Sequence, residues 1–207
     1  MKIACLQFNP IQENTYVVWD DTLEAVVIDA GNSNPREDAA LDNFIAEHGL
    51  RPVLAANTHG HFDHTLGVAH LKKRYGIPFA MSLKDAFLLD NASTSGSIFG
   101  VPVGEMPSVD TDLDTTPEIR FGHTVLRVLR TPGHTPGHVA LYEPQSKSLF
   151  TGRSGAPTCP EATIRGSCAR SSTSCSRWAT RCTSTPGTGP SRPSATKCST
   201  TPSSSKC

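Results

Sequence analysis

The first chemical feature of the sequence is a short loop dense in imidazole and carboxylate side chains. After an apolar run at residues 53–56 the chain reads Thr58-His59-Gly60-His61-Phe62-Asp63-His64, which places four potential metal ligands within six residues. Zinc takes imidazole nitrogen and carboxylate oxygen as ligands, and a catalytic site keeps one position open for water. In an extended segment His59 and His61 point the same way, whereas Asp63 and His64 turn onto the following helix and can face a second ion. A lone histidine is more often structural, but this density predicts a metal site.

A second histidine-bearing turn lies between two apolar segments and reads Thr131-Pro132-Gly133-His134-Thr135-Pro136-Gly137-His138. Proline and glycine favour a rigid turn that presents His134 at the end of a strand. His138 opens the next strand, where we expect it to make a structural hydrogen bond. The isolated histidines, for which we expect structural roles, are His48, His70 and His123.

Alternating strands and helices must position these two loops. Apolar runs predict strands at residues 3–8, 15–19, 25–29, 53–56, 78–81, 124–129, 139–142 and 148–150. Apolar spacing predicts helices at residues 35–48 and 66–75, each followed by a glycine that can end it. Residues 91–117 are rich in Gly, Pro, Ser, Thr and Asp and indicate no clear element. This alternation, combined with antiparallel hairpins, predicts a layered α/β domain.

The length of 207 residues suits a single domain, but the net charge of zero hides two unlike segments. Residues 1–152 carry 11 of the 19 Lys+Arg and 18 of the 19 Asp+Glu, which leaves 8 basic residues and 1 acidic residue for 153–207. The N-terminus has no long apolar run, and no segment approaches the roughly 20 apolar residues of a membrane span. We therefore expect a cytoplasmic protein that binds neither membrane nor nucleic acid.

Residues 153–207 have a composition unlike the rest of the chain. Ser and Thr supply 23 of these 55 positions, and Leu, Val, Phe and Tyr are absent, so we expect a disordered segment. Six of the seven cysteines lie here, but no C-x-x-C pair is present and the indication of a zinc or disulfide module is weak. The scattered arginines lack aromatic neighbours and give little support for RNA binding.

The His-rich loop and the Thr-Pro-Gly-His turn together resemble the metallo-β-lactamase superfamily, and within it the glyoxalase II-like (hydroxyacylglutathione hydrolase-like) branch. The resemblance covers residues 1–152 and includes Asn14-Thr15-Tyr16, Val27-Ile28-Asp29-Ala30-Gly31 and Leu149-Phe150-Thr151-Gly152. It implies an αββα four-layer sandwich with metal ions at the edge where the strands end. It also implies two sets of ligands: His59, His61 and His134 for the first metal, and Asp63 and His64 for the second.

The chemistry that this resemblance implies is metal-assisted hydrolysis. Two cations bridged by water lower the pKa of that water towards neutrality and polarise the scissile carbonyl. Two Zn²⁺ ions are expected, with iron as the alternative, and Asp63 would also help to position the nucleophilic water. The substrate in this branch is typically a small thioester such as an acyl-glutathione. Lactonases, β-lactamases, nucleases and an iron-dependent persulfide dioxygenase share similar ligand loops, so substrate and oligomeric state stay open.

The sequence departs from the family pattern directly after Gly152. Arg153 stands where the family has a metal-bridging aspartate, and Thr188 stands where it has a metal-binding histidine. Codons that fit residues 185–204, read one base earlier, translate into Tyr-Pro-Gly-His-Gly-Pro and onward into the C-terminal pattern of the branch. The same shift turns leucine and phenylalanine codons into serine and cysteine codons. We therefore interpret residues 153–207 as a frameshifted tail after an incomplete domain at residues 1–152.

Three functional hypotheses follow from the sequence. The first is a zinc hydrolase of the glyoxalase II-like type, which describes the lineage of the gene and the protein with an intact reading frame. The second is a non-catalytic product that keeps a residual metal site, because a bridging ligand and the last histidine are missing. The third makes the basic tail a nucleic-acid binder, which would require binding that weakens steeply with salt.

Overall fold

A computed structural model describes residues 1–152 of the chain. The predictions of a disordered, frameshifted tail and of a domain boundary at Gly152 concern residues beyond this range and stay predictions.

The larger of two sheets carries the loop that contains His59 and His61. Its order is β1-β2-β3-β4-β5-β6, formed by β1 (Lys2–Phe8), β2 (Glu13–Trp19), β3 (Glu24–Ile28), β4 (Arg51–Ala56), β5 (Phe79–Met81) and β6 (Thr111–Asp112). The pairs β1–β2 and β2–β3 are antiparallel, whereas β3, β4, β5 and β6 run parallel. The carboxyl ends of these parallel strands therefore meet at one edge of the sheet, where ligand-binding loops are usually found.

The smaller sheet carries the turn that contains His134. Its four antiparallel strands have the order β10-β9-β8-β7 and comprise β7 (Glu118–Phe121), β8 (Thr124–Arg130), β9 (Val139–Glu143) and β10 (Ser148–Phe150). The turn between β8 and β9 leaves the sheet at the same end as the loop after β4, as the hydrogen bond from Val139 N to Thr58 O shows (2.8 Å).

Five α-helices lie within the described range: α1 (Pro35–Glu47), α2 (Phe62–Thr65), α3 (Val68–Tyr75), α4 (Ala86–Asp90) and α5 (Ala92–Ile98). A 3-10 turn, Leu83–Asp85, leads from β5 into α4. Local sequence explains where α1 begins and ends. The Asn34 side chain accepts hydrogen bonds from the backbone N–H groups of Arg36 and Glu37, Pro35 is the first helical residue, and Gly49 follows with a φ of +62°.

Two apolar cores separate the layers, because successive residues of a strand face opposite sides of a sheet. In β3, Val27 packs against the helices and Val26 packs against the second sheet. The helix-side core contains Leu41 of α1 and Leu71 of α3, both fully buried. The described residues thus form three layers, helices, sheet and sheet, of the αββα sandwich, and every helix among residues 1–152 precedes the strands of the smaller sheet in the chain.

The structure confirms the predicted α/β class and each of the predicted strands. The helix predicted at residues 66–75 begins two residues later in the structure, as α3, and a break at Gly67 separates it from α2. A Cβ atom there would lie 1.7 Å from Asn32 Oδ1, so close packing requires glycine at this break. The polar segment from 91 to 117 contains α5 and β6, whose polar sequences hid them from a prediction based on apolar periodicity.

Candidate metal centre

A hydrogen-bonded chain from β3 fixes the ring of His59. Asp29, just after β3, accepts hydrogen bonds from Thr58 N (2.7 Å) and Thr58 Oγ1 (2.8 Å). Thr58 Oγ1 also lies 3.0 Å from His59 Nδ1. Because the single hydroxyl proton is donated to Asp29, Nδ1 must carry the proton that the hydroxyl oxygen accepts. His59 Nε2 is therefore left with a free lone pair, the arrangement that a metal-binding histidine needs.

Three imidazole nitrogens converge at the rim between the two sheets. His61 Nδ1 lies 3.1 Å from His59 Nε2 and 3.1 Å from His134 Nε2. The ligand atoms of these three residues all lie within 4.8 Å of one another. His59 is buried, His61 is half-buried and His134 is exposed, so the cluster opens to solvent on the side of the β8–β9 turn.

This donor set fits a metal ion. One nitrogen of His61 faces two other ring nitrogens, and a single proton could satisfy only one of these contacts. Ligands at about 2.0–2.1 Å from a tetrahedral zinc are separated by roughly 3.3 Å, close to the spacing seen here. A cation placed between the three lone pairs accounts for both contacts at once.

The environment keeps these three imidazoles neutral, which is the form that binds metals. The pKa of His59 is lowered by burial and then by the neighbouring His64 and His61. Burial, followed by the neighbouring His134, likewise lowers the pKa of His61. For His134, burial and then His138 lower the pKa.

Asp63 and His64 lie on α2, directly beyond this cluster. His64 is buried; its Nε2 lies 3.6 Å from Asp63 Oδ2, so both groups can face a common ion. On the other side of the ring, His64 Nδ1 lies 3.4 Å from both Glu13 Oε1 and Asp29 Oδ2, without a well-formed hydrogen bond to either. Burial acts to lower the pKa of His64, but the nearby carboxylates of Asp29 and Asp63 outweigh it and raise the pKa.

Glu13 is a buried carboxyl group that sequence reasoning missed. Burial and then the charge of Asp29 raise its pKa to about 10, so it is protonated at neutral pH. Thr15 Oγ1 accepts from the Gly31 N–H (2.9 Å) and lies within donating distance of the Asp29 carbonyl (2.8 Å) and of Glu13 Oε2 (3.0 Å). The hydrogen bond from Thr15 acts to lower the pKa of Glu13 but does not offset the effect of burial.

Three of the four remaining histidines have side-chain partners outside the cluster. His138 Nδ1 lies 2.7 Å from Thr131 Oγ1 and its Nε2 lies 2.9 Å from the Thr151 carbonyl, which agrees with the structural role expected for it. His70 lies 3.0 Å from Asp42 on α1, and His48 Nδ1 lies 2.9 Å from the Phe44 carbonyl. None of these three residues forms part of the converging cluster.

Positions 153 and 188, where the sequence departs from the expected ligand pattern, lie outside the described residues. The last described residue, Gly152, packs against the site, and a Cβ atom there would lie 2.7 Å from Thr58 Oγ1 and 3.2 Å from His59 Cε1. Between residues 1 and 152 the helices are too short and too polar to cross a membrane.

Comparison with known proteins places this geometry in a family. The profile of the Metallo-beta-lactamase superfamily matches residues 8–192. The hydroxyacylglutathione hydrolase GloC of Haemophilus influenzae is 31% identical over 154 residues, which cover 73% of this chain and 70% of that protein. The mouse mitochondrial persulfide dioxygenase ETHE1 is 33% identical over 139 residues, 67% of this chain and 46% of the mouse protein.

Two solved structures share the fold. The B3 metallo-beta-lactamase BLEG-1 aligns with a TM-score of 0.65 and 30% identity, covering 72% of this chain and 70% of that one. The protein TTHA1623, solved in a di-iron-bound form, aligns with a TM-score of 0.61 and 30% identity, with the same coverage of 72% and 70%.

Proposed function

The chain belongs to the metallo-β-lactamase superfamily of metal-dependent hydrolases, and we propose that it binds two zinc ions and hydrolyses a thioester such as an acyl-glutathione. The observation that carries the proposal is the convergence of three neutral imidazole nitrogens at a solvent-accessible rim. His59, His61 and His134 would hold one ion, and Asp63 and His64 would hold the second. Such a pair of ions would supply hydroxide near neutral pH and would polarise the scissile carbonyl.

The residues around the ions orient them and the substrate. Asp29 and Thr58 hold His59 in the tautomer that leaves Nε2 free. Asp63 is half-buried, and its carboxylate would help to position the nucleophilic water. His134 is exposed, so the rim is open to a substrate from solvent.

A thioester is the preferred substrate because GloC, named a hydroxyacylglutathione hydrolase, is similar over most of both chains. Iron is the alternative metal. TTHA1623 was solved with two irons, and ETHE1 is named a persulfide dioxygenase. Imidazole and carboxylate ligands accept either metal, so the ligand set does not favour one over the other.

A second candidate function is metal binding without turnover. Gly152 packs against His59. The next residue in the sequence is Arg153 rather than the aspartate of the family pattern. A guanidinium cannot bridge two cations, and loss of a ligand weakens a metal site strongly. Under this alternative the first ion binds, the second binds weakly or not at all, and hydrolysis is lost.

The deciding experiment measures metal content and thioester hydrolysis in the full 207-residue chain. Two zinc ions per chain, together with release of free thiol from an acyl-glutathione, would support the proposed hydrolase for this chain. The His61→Ala variant should lose both, whereas His70→Ala, which changes a histidine paired with Asp42 away from the site, should keep both.

One ion and no thiol release would support the non-catalytic alternative. Oxygen consumption by the iron-loaded chain with glutathione persulfide, without thioester hydrolysis, would favour the dioxygenase chemistry instead. Absence of any bound metal would overturn the metal site itself.

A further inference from the structure

Asp85 is a fully buried carboxylate that lies between the two histidine loops without belonging to the converging cluster. It ends the 3-10 turn after β5 and accepts three hydrogen bonds. Oδ2 accepts from Gly60 N (3.0 Å) and Thr135 Oγ1 (2.6 Å), and Oδ1 accepts from Gly137 N (2.7 Å). These donors offset the cost of burying the carboxylate.

The position of the three donors in the sequence is informative. Gly60 separates His59 from His61, and Thr135 directly follows His134. The first loop leaves the larger sheet and the second leaves the smaller sheet, so no strand ladder sets the distance between them. Besides the hydrogen bond between Val139 N and Thr58 O and the contact between His61 Nδ1 and His134 Nε2, the two loops are joined by Asp85, which accepts hydrogen bonds from both.

We propose that Asp85 is a positioning residue that sets the separation of His61 and His134 and thereby the affinity of the three-histidine site for a divalent metal. The inference rests on the proposed metal site, and it assigns to Asp85 no contact with substrate or metal. It acts through Gly60 and Thr135, each adjacent in sequence to a ligand.

Asp20 provides a matched comparison at the opposite end of the sandwich. It too is buried, and it accepts from a backbone N–H, that of His123 (2.6 Å), and from a threonine hydroxyl, that of Thr124 (3.0 Å). It joins the turn after β2 to the turn before β8, so it also links the two sheets. No metal ligand lies next to its partners in sequence.

The Asp85→Asn variant separates positioning from plain stability. An asparagine amide must place its NH₂ group either against Gly137 N–H or against Gly60 N–H, so one donor faces another in both orientations. Co²⁺ alone serves as the probe, with affinity measured by chelator competition, ligand geometry by the visible absorption of bound Co²⁺, and stability by thermal unfolding of the metal-free chain. We expect Asp85→Asn to bind Co²⁺ about 10- to 100-fold more weakly, with an altered spectrum.

The controls make each outcome decisive. Asp20→Asn should lower the thermal stability of the metal-free chain and leave the Co²⁺ affinity and spectrum unchanged. Thr135→Val removes one hydrogen-bond donor to Asp85 at nearly constant volume and should weaken Co²⁺ binding about 5-fold, whereas Thr135→Ser keeps the donor and should bind Co²⁺ as the wild type does. If Asp85→Asn does not fold, this pair of variants tests the positioning role in its place.

Wild-type Co²⁺ affinity and spectrum in Asp85→Asn or in Thr135→Val would overturn the positioning role. Equal weakening in Asp20→Asn would overturn it as well. A wild-type chain that binds no Co²⁺ would overturn the proposed metal site together with this inference.

Discussion

Replacing Gly60 with alanine tests whether the backbone of the metal loop is held in place by direct contact with the turn after β5. A Cβ atom at residue 60 would lie 2.8 Å from the carbonyl oxygen of Asp85 and 2.9 Å from its Cβ. Both contacts are to rigid parts of Asp85, so no flexible side chain can swing away. The loop that carries His59 and His61 must therefore move.

The size of the shift follows from these distances. Non-bonded carbon contacts are favourable at about 3.5–4.0 Å, so the loop must retreat by roughly 0.6 Å or more. Metal–ligand distances tolerate deviations of only about 0.2 Å. Overpacking of this kind costs about 1–3 kcal/mol. The metal-free loop can relax away from the clash, so most of this cost falls on metal binding, and we expect affinity to fall about 5- to 150-fold.

The assay is a chelator competition titration of metal-free protein with Zn²⁺, together with thermal unfolding of the same samples. Gly104→Ala is the control, because a Cβ atom at residue 104 has nothing within 4 Å. We expect Gly104→Ala to match the wild type in both measurements. Unchanged zinc affinity in Gly60→Ala would refute the reasoning, since it would mean that the loop accommodates the methyl group without displacing its histidines.

Three further predictions concern stability and metal linkage. Burial would raise the pKa of Asp20, but hydrogen bonds from Thr22, His123 and Thr124 lower it from 3.8 to about 2. The contribution of Asp20 to the free energy of unfolding is therefore present above pH 3.8 and is lost as the pH falls through about 2. Asp20→Asn should thus cost about 1 kcal/mol at pH 7 in urea unfolding, and an equal cost at pH 2 would contradict this. Leu41→Ala empties a fully buried site beneath α1 and should cost about 2–5 kcal/mol in the same assay, with a cost under 1 kcal/mol counting against the packing described. Zinc at about 100 times its Kd should stabilise the chain by about 2.7 kcal/mol, and EDTA should remove that gain; an unchanged melting temperature would refute the linkage.

The sequence predicts the framework well because the core-forming segments are strongly apolar and sharply bounded. The strand β3 and the helix α1 follow from apolar patterning and from Asn34 and Gly49 at the helix ends. The polar helix α5 could not be predicted this way. It forms because Phe62 and Ala92 pack together in a small third core, a contact that only the folded chain provides.

The candidate site, like the fold, could be predicted from the sequence only in part. His59, His61 and His134 stand out because histidines with this spacing are rare, and the fold brings them together. Asp85 and Glu13 were not predicted, because one buried carboxyl group carries no signal in a single sequence. The role of Asp85 depends on partners between 25 and 52 residues away in the sequence, and that of Glu13 depends on its burial in the folded chain.

The two halves of the three-histidine cluster come from different sheets and are separated by 73 positions between His61 and His134. An ion held there would act as a removable cross-link that closes a long loop, much as a disulfide does, but with an occupancy set by the surrounding solution. The unfolded fraction, which proteases degrade, would then rise when zinc is scarce. The cellular abundance of this protein would therefore vary with the supply of metal, independently of any reaction that it catalyses.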